Sequence, residues 1–338
     1  MLICAECFND EEMQKSILND PSSITGACDA SGFADKKVVN IDIFADFFDA
    51  FLSVFAPDPE GSDIVGLIQK DWNLFATDGI AKKIIAFFLN SGRFGYSITD
   101  SVGYNDEVKT IASKWDSLKQ DVQSKKRFFA DLSDFESLGI IKDNSKILKD
   151  QQFYRARVLP AGKTSLATGE MGCPPPKLAS PGRANPLGIP YLYLCQDEAT
   201  TYYEVRALYL DKLCIGTFRI KEDCSILDFT STYSSSLYFA YNADAEPLSS
   251  VLGKQKLFQL ISHDLSKPLR RYDTEIEYVP TQLICEYCKI NNIDGIKFYS
   301  SLHNGGINVV LFYPEKAECT AVNVKEILNV SISDKATI

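Results

Sequence analysis

The chain has 338 residues, 45% apolar and 24% charged, with a formal net charge of −10 at pH 7. That length accommodates two ordinary domains, and the composition is that of a folded rather than a disordered protein. The acidic balance argues against a nucleic-acid binder, which needs clustered Lys and Arg, but permits an anionic small molecule held by two or three arginines.

Met1–Cys7 has neither the basic region nor the apolar stretch of a signal peptide, and no apolar run approaches membrane-spanning length. A cytoplasmic protein without membrane partners is expected. There the ten cysteines should be mostly small buried hydrophobes, and Cys195, Cys214 and Cys224, in or beside apolar runs, fit that role. Residues 1–34 carry Cys4-x-x-Cys7 and, later, Cys28. A zinc knuckle needs two such pairs, and here the partner of Cys28 is Ser31, with no His nearby. Cys4, Cys7 and Cys28, completed by Asp29 or a water, are candidate ligands of a structural zinc; the alternative is a decayed knuckle or plain core cysteines.

Residues 35–150 read as a helical domain. Ile43, Phe47, Phe51 and Phe55 recur every four positions, which predicts one helix face ending at Asp58-Pro59 and Glu60-Gly61. Trp72, Leu74 and Phe75 begin another apolar cluster, residues 80–89 predict an apolar helix, and residues 106–132 an exposed amphipathic one. This zone reads as a packing, regulatory or oligomerising module.

From residue 151 to about 320 the texture is α+β, followed by a tail over 321–338. Strands are predicted at 153–159, 191–194, 214–220, 295–299 and 308–313, with helices over 198–207 and 280–291. No Gly-x-Gly-x-x-Gly turn follows a strand and no Gly-Lys-Ser/Thr loop exists, so any nucleotide is held by something other than a Rossmann or P-loop cradle. A Pro-rich loop presents Arg183 and Asn185, the next strand carries Tyr193 and the next helix Glu204. Such a loop on a rigid scaffold is a candidate ligand site, although loop Arg and helix Glu are commonly solvated surface. A second polar cluster, Ser300 to Asn308, lies between two apolar strands, where Asn304-Gly305-Gly306 also fits a simple hairpin. In Tyr154-Arg155-Ala156-Arg157, alternation sets Arg155 and Arg157 on one face; for Arg157 and Arg206 an exposed charge is the favoured reading.

In this order the pieces resemble the RES domain family, named for its Arg, Glu and Ser. The resemblance covers most of residues 150–315. It rests on the Tyr-Arg of the opening strand, Gly-Arg-x-Asn-Pro-x-Gly-x-Pro-x-Leu-Tyr, a Glu eleven residues beyond that Tyr, and a late Tyr-Ser-Ser before Asn-Val-Val-Leu-Phe. The N-terminal zones more weakly resemble the Cys-rich, HEPN-like extension of some RES proteins. The Arg-x-x-x-x-His signature of HEPN nucleases is absent, and His263 and His303 both lie in the later domain, so RNA cleavage is not expected.

The resemblance implies an ADP-ribosyltransferase-like split β-sandwich, a mostly antiparallel sheet pair around a cleft. It also implies NAD⁺ as the substrate, as for toxins of RES–Xre toxin–antitoxin pairs. The family's residues fall on Arg155, Arg183, Tyr193, Glu204 and Ser300, with Asn185 and Asn308 as supporting polar groups. Glu204 would stabilise positive charge on the ribose, and Arg155 and Arg183 would hold phosphate oxygens. Tyr193 would stack on nicotinamide, and Ser300 would bind its amide or the ribose. Glycohydrolysis or phosphorolysis is the leading expectation; ADP-ribose transfer to a macromolecule and a catalytically silent binding module are the alternatives. An antitoxin or defence partner, or the helical domain in cis, would restrain the enzyme, and a homodimer is a further expectation.

Overall fold

A computed structural model of the chain describes residues 1–142, 144–230, 236–243, 246–267 and 275–331. It divides into two units, Met1–Ser113 with Tyr233–Leu257, and Lys114–Thr232 with Phe258–Ile338. Each unit is thus discontinuous in sequence. This differs from a division at residue 150, because residues 114–150 belong with the second unit and 233–257 with the first.

Along the chain, the first unit begins with β1 (Leu2–Cys4), α1 (Glu11–Asn19), β2 (Ile24–Gly26) and β3 (Lys36–Asn40). β3 is central in a small antiparallel sheet, and Asp10 caps α1 by accepting from the Glu12 and Met13 N–H groups. Next come α2 (Ala45–Leu52), β4 (Phe55–Asp63), α3 (Ile64–Trp72), α4 (Asp78–Leu89) and β5 (Ser101–Tyr104). The zone expected to be helical therefore also holds β3 and the β4–β5 ribbon. The predicted four-residue stripe is corrected too. Phe47 and Phe51 stack on α2 with centroids 5.6 Å apart, but Ile43 lies in a 3-10 turn and is exposed, with Phe44 buried in its place. Phe55 pairs with Tyr104 in the ribbon, and Asp58 to Gly61 fall within β4 rather than ending a helix. Tertiary pairing here overrides the helical period.

α5 (Asp106–Ser124) runs from first-unit into second-unit sequence and stops short of the predicted residue 132. The second unit continues with α6 (Ser133–Ser137), β6 (Asn144–Ile147), β7 (Gln152–Val158), β8 (Leu192–Cys195), α7 (Glu198–Glu204), β9 (Lys212–Ile220) and β10 (Cys224–Asp228). α8 (Leu237–Asn242) and the start of α9 (Leu248–Ser266) return to the first unit. α10 (Val279–Ile290), β11 (Gly295–Tyr299), β12 (Ile307–Leu311) and β13 (Ala317–Glu326) complete the second.

The second unit's eight strands lie in the order β13-β9-β7-β8-β12-β11-β10-β6. The sheet is mixed: β10 and β11 run parallel, and the other neighbours antiparallel. Its weakest seam is between β7 and β8, which are joined only at Tyr154 and Cys195, whereas β7 and β9 match over seven pairs. Side-chain alternation splits the core. Phe153, Cys214 and Phe218 pack on one face with Met171, while Ala156, Leu213 and Ile215 pack on the other with Tyr202 and Val205 of the α7 segment. Residues 321–326, expected as tail, form the end of edge strand β13; positions 332–338 lie outside the described residues. No described helix is long and apolar enough to cross a membrane.

Candidate active site

A cavity of about 490 Å³ opens in the second unit, within the ~300–1,000 Å³ range of small-molecule sites. Arg155, Arg183, Tyr193, Glu204, Asn185 and Asn308 all line it. Ser300 does not; it stands behind Glu204.

Glu204 closes α7, a helix that Asp197 starts by accepting the Thr200 N–H. Glu204 Oε1 accepts hydrogen bonds from Ser300 Oγ and Asn308 Nδ2, both at 2.7 Å. Among the described residues no cation pairs with Glu204, and its Oε2 accepts no hydrogen bond. The carboxylate is held in place without its charge being neutralised. Ser300 Oγ also accepts from the Leu302 and His303 N–H groups, both at 3.1 Å, so its one donor and two lone pairs are all engaged. The expected contact of Ser300 with nicotinamide or ribose is therefore replaced by a grip on Glu204. Asn308 does likewise, with its Oδ1 facing the Cys195 thiol at 3.4 Å.

Tyr193 is equally committed. Its hydroxyl donates to Asn185 Oδ1 at 2.8 Å and accepts from the Ala184 N–H at 3.1 Å, and burial pushes its phenol pKa up. Asn185, 4% exposed, donates from Nδ2 to the Ser180 and Pro186 carbonyls, so it braces its own loop. A Cβ on Gly182 would lie 2.8 Å from both the Tyr193 hydroxyl and Asn185 Oδ1, which is why the loop needs glycine there. Gln282 on α10 donates to the Gly182 and Asn185 carbonyls, and Thr281 to that of Arg183. These bonds fix the backbone that carries Arg183, whose guanidinium lies over the Tyr278 ring at 5.0 Å.

Arg155 comes from β7. Its Nη1 is buried without a hydrogen-bond partner among the described residues, and burial, then the neighbouring Arg157 charge, depress its pKa. A buried unpaired guanidinium N–H is costly unless an anion meets it. Arg157, on the same strand face, is tied by Nη2 to the Gly172 carbonyl at 2.6 Å and does not line the cavity. Arg206, read from sequence as an exposed charge, does line it. It follows α7 at φ +51°, a left-handed turn that sequence spacing does not reveal.

In the first unit the three thiols of Cys4, Cys7 and Cys28 come together, fully or nearly fully buried. Their sulfurs are 3.9 Å (Cys4–Cys7) and 3.4 Å (Cys7–Cys28) apart, against roughly 3.8 Å for the edge of a tetrahedron with zinc–sulfur bonds of ~2.3 Å. Burial raises Cys4 and Cys7; it works the same way on Cys28, where hydrogen bonds from Ser31 and the other two cysteines outweigh it and bring the thiol to about 7. Asp29, expected as a possible fourth ligand, is instead exposed and accepts the Leu2 N–H through Oδ2. Ser31 Oγ lies 3.5 Å from Cys4 Sγ. The donor set fits a thiolate-bound metal.

Comparison with known proteins gives one family: the model of the RES domain matches residues 152–332, more than half of the chain. A similar solved structure is titled the crystal structure of the M. tuberculosis MbcT–MbcA toxin–antitoxin complex. It is 14% identical, with 56% of this chain and 91% of that chain covered and a TM-score of 0.30. No curated protein matches the chain.

Proposed function

The chain belongs to the RES domain family, and on that premise we propose that it degrades NAD⁺ by breaking the bond between nicotinamide and ribose. The observation that carries this reading is Glu204, fixed by two neutral donors at the wall of an arginine-lined cavity. As the glycosidic bond breaks, its electron pair goes to the nicotinamide ring nitrogen, which becomes neutral, and positive charge builds on the ribose. Glu204 meets that charge electrostatically, and a carboxylate already paired with a cation would do so far less well. Water or phosphate then supplies an oxygen to the ribose carbon, and a proton leaves with the buffer. Arg155 and Arg183 hold the pyrophosphate through charge-assisted bonds. Tyr193 offers its ring to nicotinamide while its hydroxyl holds the loop. The single-pair seam between β7 and β8 supports a split, ADP-ribosyltransferase-like sheet.

The family resemblance to toxins of RES–Xre pairs supports a cytoplasmic growth-arrest or defence effector restrained by an antitoxin, or by the N-terminal sequence in cis. Cys4, Cys7 and Cys28 would hold a structural zinc with Ser31 or a water, which would knit β1 to the loop after β2. Metal analysis should then find about one zinc per chain, lost in Cys28→Ala. Incubation with NAD⁺, with and without phosphate, tests the enzyme reading: nicotinamide release supports it, and phosphate dependence identifies the acceptor. Release of nicotinamide accompanied by labelling of protein or nucleic acid would favour a transferase.

A further inference from the structure

The loop from Ser300 to Gly306 lies along one face of α7. Thr200, Tyr203 and Glu204 are three and four residues apart, and all three meet that loop. Ser300 grips Glu204 at the end of the helix, and His303 grips its first turn. His303 Nδ1 is 2.8 Å from Thr200 Oγ1, whose own proton goes to Asp197 Oδ2 at 2.7 Å. The imidazole stacks on the Tyr203 ring at 4.5 Å, with the two planes 8° apart. The His303 main-chain N–H donates to Ser300 Oγ, and Gly306 closes the loop by bonding to the His303 carbonyl. A Cβ on Gly306 would lie 2.6 Å from Thr200 Oγ1 and 2.9 Å from His303 Nδ1, so the contact requires glycine there.

The protons can be counted. A hydroxyl has one, and an ionised carboxylate can only accept. Burial works to raise Asp197, but hydrogen bonds from the Thr200 hydroxyl and N–H outweigh it and hold the carboxyl below its usual range. With the Thr200 proton committed to Asp197, the remaining bond must be donated by Nδ1–H of His303. We propose that His303, held as the Nδ1–H tautomer by the Asp197–Thr200 relay, is the positioning residue that sets Ser300, and through it Glu204, for the reaction on NAD⁺. The inference rests on the NAD⁺ reading above. His303 touches no reacting atom; it acts by fixing the loop whose serine fixes the carboxylate. A misplaced Glu204 should fail the transition state more than the bound substrate, so the effect falls on kcat rather than KM.

The test is steady-state kinetics of nicotinamide release by the full chain and its variants, beside the imidazole ¹⁵N spectrum of the unmodified protein at alkaline pH. His303→Ala and Thr200→Val should each lower kcat about three- to tenfold with KM within about twofold, and the double variant should be no worse than either. His303→Asn, whose amide nitrogen falls where Nδ1 was, should recover most of the loss; His303→Gln, whose nitrogen falls at the other ring position, should not. The spectrum should show one of the two histidines as the neutral Nδ1–H tautomer, a signal that disappears in His303→Asn. Wild-type kcat in His303→Ala, a change confined to KM, or no recovery with Asn would overturn the proposal. No turnover in the unmodified protein would instead defeat the NAD⁺ reading. The spectrum then decides the relay by itself, and an Nε2–H tautomer would overturn it.

Discussion

Two helix-borne carboxylates, one in each unit, are held firmly and to opposite ends. Asp71 on α3 accepts from Lys256 Nζ at 2.6 Å and from the Tyr104 hydroxyl at 2.7 Å, with its side chain 8% exposed. Trp72 Nε1 in turn donates to that hydroxyl at 3.0 Å. The charge of Asp71 is matched by a cation within the fold, and what it provides is packing of the first unit. Glu204 is also gripped twice, but by a hydroxyl and an amide that carry no charge. Its negative charge stays available. A structural carboxylate is neutralised where it stands, whereas one intended to meet a developing cation is fixed by neutral donors and left charged.

The sharpest way to break this contrast is to remove each charge without changing shape. Glu204→Gln should lower kcat for nicotinamide release by about 100- to 1,000-fold, the scale of losing one preorganised electrostatic contact, with little change in the denaturant midpoint. Asp71→Asn should do the reverse: stability falls by about 1–3 kcal/mol, read from urea unfolding, because Lys256 is left partly buried with a weaker partner, while kcat holds. Equal effects of the two changes on rate would erase the distinction. Ser300→Ala should cost about tenfold in kcat, less than Glu204→Gln, since it loosens the carboxylate without discharging it.

The smallest effect is in acid. Burial works to raise Asp228, and hydrogen bonds from the Thr230 hydroxyl and N–H and from Lys297 outweigh it, so its pKa is depressed on folding. Its stabilisation is thus fully present above the unfolded-state value near 3.8 and is lost as pH falls through the lower folded-state value. Unfolding midpoints taken from roughly pH 5 down to pH 2 should decline, and Asp228→Asn should flatten that decline.

Much of the second unit could be read in the sequence because its strands are short apolar runs bounded by Pro and Gly, and the predicted spans at 153–159, 214–220 and 295–299 fall on β7, β9 and β11. β6, β10 and β13 were not legible. β6 (Asn-Ser-Lys-Ile) and β13 are polar edge strands whose pairing, not composition, makes them strands. The site followed the same divide. The resemblance to the RES domain pointed to Arg155, Arg183, Tyr193, Glu204 and Ser300, but not to the partners of Ser300, because Ser300 and Glu204 are 96 residues apart and meet only through strand pairing. His303 was legible only as a loop residue; Thr200, 103 positions earlier, gives it a role. In the first unit the phenylalanine spacing predicted burial of Phe47 and Phe51 but not where α2 stops, since the β4–β5 ribbon sets that.

The most direct test of the account is nicotinamide release from NAD⁺ by the purified full chain, measured beside Glu204→Gln at matched folding. The unmodified protein should release nicotinamide, and the variant should lose about 100-fold or more of that rate. Undiminished release from Glu204→Gln would contradict the account, and so would the absence of release from a folded, unrestrained protein both with and without phosphate.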